Sequence, residues 1–248
     1  MPNNALTQAE QKRLAARHAV DDCLAAGILA GGMRLGLGTG STAMPAVERI
    51  AELMREGKLP GIRAVATSFQ TTIACETLGI PVYSLNSRAI GGELDFAIDG
   101  ADEIDPGKKL IKGGGAALLL EKIVAYNAAS FIIVADGSKT VRSLGTVFPL
   151  PVEIVSEARA SAIAALARLG AKAAVREGVR KAGPVITDNG NLILDCLWDA
   201  RPNGSEPFDP YEMEGRINEI AGVVENGLFT RNTPVVYVAR ADGTVDRL

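Results

Sequence analysis

Residues 98–122 read IDGADEIDPGKKLIKGGGAALLLEK. Four acids fall between Asp99 and Asp105, followed by Lys112, the run Gly113-Gly114-Gly115, and Glu121 within an apolar stretch. Asp99 and Asp102 flank Gly100-Ala101 and directly follow a strand-like segment, which puts them at the carboxyl edge of a sheet. A calcium loop is disfavoured, because Ala101 and Ile104 occupy alternate positions where oxygen ligands are required. Glu103 and Asp105 read as acids of a solvated turn. The glycines let the backbone approach a ligand closely and adopt positive φ. Glu121 stands among Leu118, Leu119, Leu120, Ile123 and Val124. Periodicity alone puts it on the polar face of a helix beside Lys122. Burial would instead give it the desolvated setting of a general base.

A second glycine turn, GLGTGSTA, lies at residues 36–43. Gly38, Gly40 and Ala43 fit G-x-G-x-x-A, but the second strand ends in Thr67-Ser68, where a dinucleotide site needs an acid for the ribose. No G-x-x-x-x-G-K-S/T is present, which excludes a P-loop. What remains is a helix N-terminus bearing Thr39, Gly40, Ser41 and Thr42. Free N–H groups and the helix dipole there favour a single phosphate. A tight turn with a hydroxyl helix cap is the simpler alternative.

These residues need a frame. Thr7 and Glu10 form a capping box that opens a helix reaching to about Ala26. Strands are predicted at GGMRLGLG, IRAVATS, PVYSL, LDFAIDG and FIIVAD, alternating with helices at STAMPAVERIAELMREG, QTTIACETLG and AALLLEKIVAYNAA. Pro45 is assigned to the first turn of its helix. Apolar strands alternating with helices predict an open, mostly parallel, Rossmann-like sheet with helices on both faces, and ligands at the carboxyl ends of its strands. Beyond FPLPVEIV the pattern changes. A helix at 157–169, a strand near AKAAVRE, a hairpin around Asn189-Gly190, and a helix capped by Asp209 with Pro210 at its first position suggest a smaller ferredoxin-like α+β domain. TPVVYVA and GTVDRL close the chain as strands, and DARPNGSEPFDP reads as an exposed loop.

The 248 residues carry a net charge of −3 and 4% aromatics, which argues against nucleic-acid binding or an anionic membrane surface. No apolar run is long enough to span a membrane, and the first 20 residues lack the basic-then-apolar order of a signal peptide. Cys23, Cys75 and Cys196 are odd in number and far apart, which fits a reducing cytoplasm better than a disulfide framework. His18 is the sole histidine and sits in a helical segment, which excludes HExxH and multi-histidine metal sites.

Assembled, the segments GLGTGSTA, DGADEID, KGGGAALLLEK, ADGSK, FPLPVEI, VITDNGNLILD and GVVENGLF closely resemble type A ribose-5-phosphate isomerase, in the family's order and over nearly the whole chain. The resemblance implies interconversion of D-ribose 5-phosphate and D-ribulose 5-phosphate without cofactor or metal. It implies substrate binding by Thr39, Gly40, Ser41 and Thr42, by Asp99, Gly100, Ala101 and Asp102, by Lys112, Gly113, Gly114 and Gly115, and by Lys139 of ADGSK. Glu121 matches the catalytic base, with Asp99, Asp102 and Lys112 assisting. It also implies a discontinuous catalytic domain (1–150 and 222–248), a small domain (151–221), and a homodimer or homotetramer. Two departures are mild: PNGSEPF adds loop length, and Ala221 stands where the family often has proline. A sugar-phosphate sensor would carry a DNA-binding helix-turn-helix, and the sequence has no basic recognition segment; a related deaminase or lactonase would use a histidine, and His18 is poorly placed for that.

Overall fold

Thr7 opens the first helix through the reciprocal capping box its spacing from Glu10 predicts. In the computed structural model, which describes residues 5–199 and 207–248, the chain continues as α1 (Gln8–Ala25), β1 (Arg34–Leu37), α2 (Gly40–Arg55), β2 (Arg63–Ala66) and α3 (Phe69–Leu78). Next come β3 (Leu94–Gly100), β4 (Glu103–Ile104), β5 (Leu110–Ile111), α4 (Leu118–Tyr126), β6 (Ala128–Asp136) and β7 (Leu150–Ile154). They are followed by α5 (Arg159–Arg168), β8 (Ala171–Val175), β9 (Leu192–Trp198), α6 (Pro210–Asn218), β10 (Val223–Asn226), β11 (Leu228–Phe229), β12 (Val235–Ala239) and β13 (Val245–Arg247).

Two compact units result. The first holds the described residues up to Gly100, with Ile123–Lys139 and Thr233–Leu248. Its six-stranded sheet runs β13-β12-β6-β3-β1-β2. Every pairing is parallel except that of β12 with the edge strand β13. Strand alternation assigns the two faces. Leu35 and Leu37 join a core with Ala15, Ala19, Val47 and Ile50 of α1 and α2. Gly36 turns the other way, where a Cβ would come within 2.2 Å of Val124 in α4. Helices therefore cover both faces, as the sequence predicts.

The second unit comprises Ala101–Lys122 and the described part of Thr140–Asn232. A four-stranded antiparallel sheet runs β10-β7-β9-β8, with α5 and α6 in the connections. This β-α-β-β-α-β order is the ferredoxin-like pattern. A short three-stranded antiparallel sheet, β11-β5-β4, shares its core: Ile111 and Leu228 pack with Leu150, Val152, Leu194 and Ile217.

Several local expectations are corrected. PVYSL forms no strand; it contributes only an isolated bridge between Ala64 and Val82. The first arm of the Asn189-Gly190 hairpin likewise reduces to a bridge between Ile186 and Leu192, although Gly190 supplies the positive φ of the turn (83°). Ala128 and Ala129 begin β6 rather than ending α4. Pro45 lies inside α2, beyond its first turn, and leaves the Ser41 carbonyl without its i+4 donor. The predicted loop at residues 199–210 falls mostly outside the described residues. Cys23, Cys75 and Cys196 are buried free thiols. His18 is exposed on α1, its ring 6.0 Å from that of Tyr237.

Candidate active site

In the first unit, β1 is followed by Gly38-Thr39, and α2 begins at Gly40, whose φ of 88° an L-residue rarely adopts. Thr39 is the N-cap but makes no cap bond with its side chain. Its hydroxyl lies 2.7 Å from those of Thr67 and Ser68, within a cluster that also includes Thr71. Ser68 caps α3 and Thr71 donates to the Gly38 carbonyl. The Thr39 hydroxyl thus serves the turn itself and is less available to a ligand. The Gly40 N–H reaches the exposed Gln70 side chain at 3.2 Å. Those of Ser41 and Thr42 have no hydrogen-bond partner among the described residues, as the first turn of a helix dictates. Lys12 of α1 places its Nζ 3.2 Å from the Ser41 hydroxyl.

Asp99 is buried at the end of β3. Its Oδ1 accepts from the N–H groups of Thr39 (3.2 Å) and Gly100 (2.8 Å). The carboxylate fits because residue 38 is glycine; a Cβ there would lie 2.0 Å from Oδ1. At the end of β6, Asp136 is also buried. Burial opposes its ionisation, but hydrogen bonds from Ser138 and Gln8, with the charge of Lys139, outweigh it and lower its pKa. Gln8 also donates to Ser138 and Gln11 accepts from Gly137, so the first turns of α1 hold the turn that carries Lys139.

In the second unit, the Asp102 N–H donates to the Ile111 carbonyl, and Asp102 Oδ2 accepts from Gly114 N–H at 2.8 Å. Lys112 follows β5; its N–H donates to the Gly227 carbonyl, and its side chain is 3% exposed. Lys112 Nζ stands 3.3 Å from Glu121 Oε2 and 5.5 Å from the centre of the Phe229 ring. Glu121 sits on the first turn of α4 and is 5% exposed. The polar-face assignment from periodicity is therefore corrected. Lys122 is buried too, 2.9 Å from both Glu214 Oε1 and Glu225 Oε1. Glu103 is likewise no solvated acid. It is wholly buried and accepts from the N–H groups of Gly145, Val147 and Phe148. Asp105 is buried and accepts from Lys109 N–H.

The unit thus holds a carboxylate and an ammonium ion together, shielded from water, beside a glycine loop. Such a pair can move a proton and meet the negative charge that results. Among the described residues no group of three or more His, Cys, Asp or Glu side chains is arranged to hold a metal ion. No described helix is long and apolar enough to cross a membrane.

A family model described as ribose 5-phosphate isomerase A (phosphoriboisomerase A) matches residues 63–243. The ribose-5-phosphate isomerase A of Treponema denticola is 56% identical over 237 residues, covering 96% of this chain and 98% of that protein. The chain belongs to the ribose 5-phosphate isomerase A family. A solved structure of ribose 5-phosphate isomerase A from Methanocaldococcus jannaschii superposes with a TM-score of 0.86 at 39% identity, covering 98% of this chain and 99% of that one. A D-ribose-5-phosphate isomerase solved in complex with phospho-erythronic acid gives a TM-score of 0.88 at 38% identity, with 98% and 99% coverage.

For a member of the ribose 5-phosphate isomerase A family, sequence reasoning left two charged residues unnoticed. Lys12 lies 29 positions before Ser41, and its only local signal is that it shares the start of α1 with the long polar side chains Gln8 and Gln11. Arg176, in a segment read only as strand, donates to the carbonyls of Gly113 and Gly114; nothing in its immediate sequence announces this.

Proposed function

We propose that this chain interconverts D-ribose 5-phosphate and D-ribulose 5-phosphate, with Glu121 as the base that carries the proton between C2 and C1. The observation that supports this most directly is the buried pairing of Glu121 with Lys112, 3.3 Å apart. Glu121 takes the proton from C2 of the open-chain aldose. The electron pair left behind forms the C1–C2 double bond, and negative charge develops on O1. Lys112 and N–H groups of the 113–115 loop stabilise that enediolate. Return of the proton to C1, with a proton passing from O2 to O1, leaves the ketose. No external oxidant or reductant is required.

Asp99 and Asp102 are proposed to bind sugar hydroxyls and assist ring opening. The turn Thr39, Gly40, Ser41 and Thr42 binds the phosphate, with the open N–H groups of Ser41 and Thr42 donating, Thr39 and Gly40 shaping the turn, and Gly100 and Ala101 giving close backbone approach. Lys139 adds positive charge, and the position of Lys12 beside Ser41 supports the same role for it. Binding energy gathered by the phosphate orients the reacting carbons. The chemistry calls for no cofactor. The family resemblance supports a homo-oligomer, dimer or tetramer, and the buried free thiols suit a reducing cytoplasm.

The deciding experiment incubates purified chain with D-ribose 5-phosphate and follows ketose formation. Wild type turns over; Glu121→Gln binds the sugar phosphate but loses nearly all turnover. Near-normal turnover in Glu121→Gln removes Glu121 as the base, and absence of ketose with wild type removes the activity. Phospho-erythronic acid, the ligand of the related structure, should inhibit in competition with substrate.

A further inference from the structure

Within the Gly113–Gly115 loop, Gly113 has φ of 104°, which glycine adopts freely, and its carbonyl accepts from the Ala116 N–H at 3.0 Å; Ala116 itself has φ of 59°, which an L-residue rarely adopts. Arg176 adds support from outside the loop. One guanidinium nitrogen, Nη1, donates to the carbonyls of Gly113 (2.9 Å) and Gly114 (3.1 Å). Nε donates to Asp195 Oδ2 at 2.9 Å and Nη2 to Asp195 Oδ1. Both side chains are largely shielded, at 14% and 27% exposed. The planar fork thus uses four of its five N–H donors on fixed partners.

Peptide planarity turns that clamp outward. In a trans peptide, a carbonyl and the following N–H point in opposite directions. Pinning the Gly113 carbonyl directs the Gly114 N–H, which donates to Asp102 Oδ2 at 2.8 Å. Pinning the Gly114 carbonyl directs the Gly115 N–H, which has no hydrogen-bond partner among the described residues. The clamp therefore aims one donor at a proposed substrate-binding aspartate and leaves the next open for a ligand oxygen.

We propose that Arg176, held by Asp195, is a positioning residue that fixes the peptide planes of the 113–115 loop so that the Gly115 N–H meets the enediolate oxygen. This rests on the reading of residues 112–115 as the group that stabilises that oxygen. Arg176 contacts backbone carbonyls rather than reacting atoms. Its loss should lower the rate of the chemical step and leave ground-state binding nearly unchanged.

The test is steady-state isomerase kinetics on the full chain with D-ribose 5-phosphate for Arg176→Ala, Arg176→Lys, Asp195→Asn and Lys112→Ala. Arg176→Ala is expected to lower kcat by about tenfold or more, with KM within about twofold, since small misplacements of a catalytic group carry penalties of that order. Arg176→Lys does not rescue it, because a single ammonium cannot span two carbonyls and a carboxylate at once. Millimolar guanidinium restores part of the rate to Arg176→Ala and none to Lys112→Ala. Asp195→Asn, which keeps the side-chain shape, gives a smaller loss in the same direction and stands in if Arg176→Ala fails to fold. Normal kcat in both Arg176→Ala and Asp195→Asn overturns the proposal, as does a raised KM at constant kcat. If Lys112→Ala loses turnover while the Arg176 and Asp195 variants do not, only the positioning role falls. If Lys112→Ala is also unimpaired, the reading of the loop falls with it.

Discussion

Lys112 Nζ and Glu121 Oε2 stand 3.3 Å apart, with side chains only 3% and 5% exposed. Two opposite charges so shielded are held together by mutual attraction, because either one alone would be stranded in a weakly polarisable setting. The glutamate proposed to take the proton is thus stored beside the cation proposed to receive the charge that the transfer creates.

Lys112→Met should lower kcat by about 10²–10³-fold, the range seen when a single donor to a developing oxyanion is removed. KM for ribose 5-phosphate should change far less. The double variant with Glu121→Gln should turn over no more slowly than the worse single variant, because the two act on one step. Fully multiplicative losses in stopped assays would show that they do not.

Lys12→Ala should raise KM and leave kcat close to wild type, because its Nζ lies on the Ser41 hydroxyl at the helix end proposed to bind the phosphate. Ser41→Ala should act in the same sense. The wild-type KM should rise as salt is raised in the assay, and this salt response should weaken in Lys12→Ala. An unchanged KM in both variants would remove phosphate binding from this helix end.

Lys122→Met should destabilise the fold by about 3–5 kcal/mol, because it removes the buried cation that the carboxylates of Glu214 and Glu225 share. Urea unfolding reads this as a lower midpoint. A variant within about 1 kcal/mol of wild type would mean that these acids find other partners on relaxing.

Glu52 offers a pH prediction. Hydrogen bonds from Arg17, and then Arg49, lower its pKa from 4.5 to about 2. A carboxyl lowered by folding contributes fully above its unfolded value, and that contribution is lost as pH falls through the folded one. Glu52→Gln should therefore cost no more than about 1 kcal/mol at pH 7, since the pair is partly exposed and solvent-screened. The difference from wild type should shrink between pH 4.5 and pH 2. Thermal unfolding of the two proteins across that interval checks the sign.

Much of this was legible in the sequence, for reasons that differ by element. Thr7 with Glu10, and Asp209 with Pro210, are short-range devices whose partners lie within one helical turn, and both appear as read. The strand at 94–100 is long and apolar enough to be read from composition alone. PVYSL has the propensity of a strand yet pairs only through one bridge, because propensity does not decide whether a segment finds a partner along its length. Glu121 and Lys122 were misplaced on a solvated face for a similar reason. Their partners come from Lys112 just after β5, from α6 and from β10, and no single helical turn contains them. Glu103 looked like a turn acid because the three N–H groups it accepts from lie more than 40 positions away. Conversely, the Thr39 hydroxyl looked available because Thr67, Ser68 and Thr71 are remote in sequence.

Glu121 and Lys122 are consecutive on α4, and neighbouring helical residues diverge by about 100° around the axis. Lys122 is moored to two acids, so the helix cannot spin on its axis without first breaking that mooring. The adjacent carbons of a sugar are separated by about 1.5 Å, a single carbon–carbon bond. A travel that short lies within the swing of a glutamate's own torsions. The moving part of the proposed reaction is then one side chain pivoting on a stationary mount, and its reach is set by the last two bonds of Glu121 rather than by any hinge in the backbone.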